Sequence, residues 1–65
     1  MLRVIKGTYH ENFPGMVVDV MVNTETDYET PCSPEMTSLI LKEFGYVLQS
    51  VSGEDGHVVE IWKER

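Results

Sequence analysis

Cysteine is nearly absent from this chain. Cys32 stands alone among 65 residues, so no internal disulfide braces the fold, and no clustered set of cysteine and histidine offers itself to a metal. Basic residues are scarce as well. Five Lys and Arg against eleven Asp and Glu leave a net charge of −6, a balance that disfavours direct binding to a nucleic-acid backbone or an anionic membrane. No run approaches the roughly 18 apolar residues of a membrane-spanning helix, and no basic segment followed by an apolar one is read at the amino terminus. With its single unpaired cysteine, the expected compartment is the cytoplasm. Serine-nucleophile, phosphate-loop and dinucleotide motifs are missing, so neither an enzyme nor a cofactor is expected.

What is present suits one domain spanning residues 1–65. The apolar fraction of 42%, with three tyrosines, two phenylalanines and one tryptophan, argues against disorder. A domain of about 60 residues buries only about 60% of its unfolded surface, so a partner or a second copy is a reasonable source of further stability.

One stretch reads plainly as a helix, Ser33 to Gly45. Ser33 suits the cap, Pro34 the first helical position, and Glu35 the positive end of the helix dipole. Met36, Leu39, Ile40 and Phe44 recur at helical spacing as one apolar stripe. Gly45 supplies the left-handed stop, with Tyr46 packing back on Leu41.

Strands flank it. Leu2 to Tyr9 reads as a strand with Gly7 as a weak point or bulge, and Pro14–Gly15 fits the centre of a turn. Met16 to Asn23 is the strongest strand signal. Thr24 to Cys32 reads as a polar connection, Tyr46 to Ser52 and His57 to Lys63 as a second hairpin around Gly53–Gly56. The expected fold is α+β: a small antiparallel sheet of two hairpins, one helix on one face, in the order ββαββ. A helix followed by glycine, an aromatic and a hairpin is similar to an architecture found in many short bacterial and phage proteins; the likeness implies no activity.

Several strands are apolar on both faces. Val17 and Met21 oppose Val18 and Val20, while Val58 and Trp62 oppose Val59 and Ile61. One helix covers one face, so either a loop covers the other or its residues are exposed, or another protein or a second copy covers it. In the last case Val17, Met21, Val58 and Trp62 form the self-association surface of a homodimer.

The acidic connection is the expected partner-binding site. Glu25, Asp27 and Glu29 alternate, and Asp19 shares their parity. In an extended segment, alternate carboxylates stand about 6.6–6.8 Å apart. Such a row presents regular negative charge to a basic groove, as a mimic of a nucleic-acid backbone does. Tyr28, inside the run, suits an interface anchor. Cys32, ahead of the helix, lacks an assigned base, and His10 and His57 lack the close spacing of metal ligands, so no metal is expected.

Two readings follow. The first is a small acidic protein-binding module of the phage or mobile-element inhibitor type, docking on a larger nucleic-acid-handling protein with a basic surface. The second is a self-associating structural domain without catalytic activity.

Overall fold

A computed structural model describes residues 1–65. Alternating apolar residues form strands at Leu2–Tyr9 (β1) and Val17–Asn23 (β2), and the chain reverses between them through Pro14–Gly15, where the Met16 N–H donates to the Phe13 carbonyl at 3.2 Å. The helix is Pro34–Glu43 (α1), followed by strands Val47–Glu54 (β4) and His57–Lys63 (β5). One further strand was not expected. The polar connection contains Glu29–Cys32 (β3), paired antiparallel with β2, so the order is βββαββ.

The reason lies in the turn before it. The Asn23 side-chain oxygen accepts from the N–H groups of Glu25 and Thr26 at 2.9 and 3.3 Å, and the Asn23 carbonyl accepts from Asp27 at 2.8 Å. These bonds turn the chain back tightly enough for β3 to pair. Pro31 hides that strand from a pattern reading, yet proline is tolerated on an edge strand because its missing N–H removes no ladder bond there.

All strands join one antiparallel sheet in the order β3-β2-β1-β5-β4. The helix therefore carries the chain from one edge of the sheet to the other. Its ends are those the sequence specifies. Ser33 Oγ accepts from the Met36 N–H at 3.1 Å. Gly45 adopts φ 69°, with its N–H on Lys42 and the Tyr46 N–H on the Leu41 carbonyl at 3.2 and 3.0 Å. That is a complete Schellman stop.

The helix face turned inward is not the expected stripe. Thr37 and Leu41 are buried and Ile40 is half-buried, while Met36, Leu39 and Phe44 are exposed. Thr37 enters the interior because its hydroxyl donates to the Ser33 carbonyl at 3.0 Å, leaving no unmet polar group. Leu41 then seats on Val4 and Met21, with Leu2, Cys32, Ile40, Tyr46 and Trp62 packed around them.

This packing divides the residues of the expected self-association surface. Register puts Met21 opposite Val4, and Trp62 opposite Leu2, so Val17, Met21, Val58 and Trp62 share the helix side. Met21 is buried and Trp62 half-buried beneath α1; Val17 and Val58 are exposed past its reach. The other face carries Val18, Val20 and Val22, against which Ile5 packs from β1 and Phe13 from the β1–β2 turn. Phe13, a loop residue, shields part of that face.

Candidate functional site

Each acidic position of the expected row has its own place. Asp19 is withdrawn from the surface: its side chain is 1% exposed. In β1, Lys6 and Gly7 form a bulge opposite it, with Gly7 at φ 62°. One Asp19 oxygen accepts from the Gly7 N–H at 3.0 Å and the other from Lys6 Nζ at 2.7 Å. A buried carboxylate persists only when paired and hydrogen-bonded. Asp19 thus holds a distortion in the sheet and is withdrawn from the surface row.

Glu25, Asp27 and Glu29 are exposed, but they do not form a regular row. Glu25 and Asp27 occupy the β2–β3 turn, Asp27 with a left-handed backbone at φ 58°, and only Glu29 lies in a strand. Glu29 pairs with Val22, on the face away from the helix. The spacing that would copy a nucleic-acid backbone is therefore absent.

Tyr28 is brought to a more specific place. A groove of ≈ 430 Å³ opens between the β2–β3 hairpin and the carboxyl end of α1. Leu2, Met21 and Ile40 contribute apolar surface from the core, while Tyr28, Phe44 and Tyr46 supply aromatic rings. Asn23, Thr26 and Thr30 complete the lining, which includes no charged side chain. Tyr28 and Phe44 are each 73% exposed, so the rings stand out from the surface. Phe44, Ile40 and Leu2 were missed as site residues because helical spacing assigned the first two to the core and Leu2 to an ordinary strand. Phe44 was detectable as the residue next to the glycine stop, where a helix has already left the sheet.

Negative groups border the groove. Glu25 and Asp27 lie on the hairpin that forms one wall, and the carboxyl end of α1, the negative pole of its dipole, lies at the other. Tyr46 donates a long hydrogen bond to Glu64 at 3.4 Å. Burial, the Glu64 charge and that bond together raise its phenol above the ordinary tyrosine pKa.

A second hollow of ≈ 380 Å³ lies on the opposite flank of the helix, where Lys6 and Lys42 meet Glu60. Glu60 also accepts from Trp62 Nε1 at 3.0 Å. Cys32 faces the helix-side core and His57 the opposite face of the sheet, so the sheet separates them. His10 Nδ1 accepts from the Asn12 N–H at 3.1 Å. No three His, Cys, Asp or Glu side chains gather in a metal-binding arrangement, and no helix is long and apolar enough to cross a membrane. Compared with protein families, with characterised proteins and with solved structures, the chain matches none.

Proposed function

We propose that this protein is a binding module whose groove takes an apolar side chain from a basic segment of another protein. One observation carries the reading: an uncharged aromatic groove at Tyr28, Phe44 and Tyr46 borders an acidic hairpin tip in a chain of net charge −6. The rings offer contact area at low entropy cost, and the surrounding negative charge selects and steers a cationic partner. Binding, not catalysis, is the role in view. Glu25, Asp27 and Tyr28 are its contact residues; Glu29, turned to the other face, contributes only long-range field.

The test uses labelled peptides with leucine, phenylalanine or tryptophan between lysines and arginines, read by fluorescence anisotropy. Saturable binding is expected, weakened by salt. Phe44→Ala is expected to lower affinity about tenfold, the scale of an interface anchor. Glu25→Lys with Asp27→Lys is expected to weaken binding without altering the circular dichroism. Peptide affinity indifferent to both changes overturns the reading.

A further inference from the structure

The edge opposite the groove carries an independent feature. Every residue of β4 is exposed, although it lies in an eight-residue strand. An exposed edge presents unpaired N–H and C=O groups, and proteins usually blunt it with proline, lysine or shortness. The β3 edge follows that rule, with four residues and Pro31. In β4 no lysine or proline occurs, and the only charge is Glu54, at its end and paired with Arg3 at 3.1 Å.

The hydrogen-bonding pattern says which groups are free. Asp55 and Gly56 both have positive φ, 51° and 81°, the signature of a two-residue type I′ turn closed by a hydrogen-bonded pair. That pair is Glu54 and His57. Bonded and non-bonded pairs alternate along an antiparallel ladder, so Val51 and Gly53 direct their N–H and C=O groups outward. A bulge between Leu48 and Ser50 interrupts the strand, leaving Ser50 to Glu54 as the regular stretch.

The side chains are self-complementary on the helix side. Val51 is 56% exposed and Val58 is 49% exposed. Val58 is open because its cross-strand neighbour is Gly53, where an added Cβ would meet nothing within 4 Å. The notch over Gly53 therefore lies beside a bare valine.

We infer that β4 pairs antiparallel with β4 of a second copy, about a two-fold axis through Ser52. In this register Val51 of each copy stands opposite Gly53 of the other, so both sets of outward backbone groups are matched. Val51 enters the partner's Gly53 notch toward its Val58. Ser50 faces Glu54, and Ser52 faces its own counterpart. The two sheets become one ten-stranded sheet, twice the five of a single chain, with both helices on one side. The seam itself brings no like charges into contact, but each chain carries −6, so salt strengthens the dimer by screening the remaining repulsion.

Sedimentation velocity on the full chain, with a cross-linking variant, tests this. The expected result is a dimer at micromolar concentration that grows with salt. Val51→Pro removes an outward N–H and leaves the β4–β5 ladder intact, so it is expected to weaken the dimer at least about tenfold while circular dichroism is unchanged. In a Cys32→Ser background, Ser52→Cys forms a rapid intermolecular disulfide, because a non-bonded antiparallel pair sets Cα atoms about 4.5 Å apart. A wild-type chain that stays monomeric at high salt overturns the pairing. So does a Ser52→Cys chain that cross-links no faster than a Glu25→Cys chain in the same background.

Discussion

At one edge of the sheet, β3 offers four residues, one of them Pro31, with Cys32 tucked against the core beneath α1. At the other, β4 offers eight residues, all exposed, with Leu48, Val51 and the adjoining Val58 of β5 bare on the helix face of the sheet. The first edge is blunted against strand pairing, and the recognition surface we propose beside it is a groove built from side chains. The second has an unblunted edge, and the recognition surface we infer there is the backbone itself. A ten-residue helix is only about 15 Å long, so it cannot cover five strands spaced about 4.8 Å apart. The uneven cover leaves the two edges suited to different partners.

The largest expected effect comes from breaking the covered half. Lys6→Met strips Asp19 of its cation and leaves a buried carboxylate held by one N–H. The expected loss is about 3 kcal/mol, near the lower end for a broken buried pair because Lys6 keeps contact with water. A domain of this length has roughly 3–10 kcal/mol in all, so urea unfolding is expected to show at least about a third of its stability gone. A paired comparison sharpens the contrast between the halves. Leu41→Ala opens a cavity beneath the helix and is expected to lose about 3 kcal/mol. Val51→Ala, on the open edge, is expected to change monomer stability by under about 0.5 kcal/mol, as surface changes do.

Ser33→Ala removes the acceptor for the Met36 N–H and is expected to lose about 1 kcal/mol by the same unfolding measurement. The smallest effect is a pH dependence. Tyr46 has a folded-state pKa raised by burial and then by Glu64, so the unfolded chain loses the proton first on the alkaline side. Its contribution is fully present below about pH 10, the unfolded value, and is lost as pH rises through the folded value. Tyr46→Phe is expected to flatten the alkaline fall in thermal midpoint. An unchanged fall would remove Tyr46 as its source.

Local signals in the sequence are legible where one residue dictates one conformation. Ser33, Pro34, Gly45 and Tyr46 specified the helix ends, and Gly7 marked the bulge. Strand Leu2–Tyr9 and strand His57–Lys63 have the limits their patterns suggest. Tertiary contacts decided the rest. Thr37 displaced the expected apolar stripe because a hydroxyl bonded to its own helix is as easily buried as a methionine is left out. β3 was illegible because Asn23 makes its turn through side-chain bonds, and Pro31 argues against a strand until its edge position is known. Asp19 looked like one more surface acid; only the bulge opposite it shows why a carboxylate belongs inside.

On the two proposals, the two edges serve partners of opposite electrostatic character. Sedimentation velocity of the protein with a labelled basic peptide, followed from low to high salt, tests it in one series. The peptide is expected to dissociate as salt rises while the fraction of dimer increases. Peptide binding and self-association that respond to salt in the same direction would contradict it.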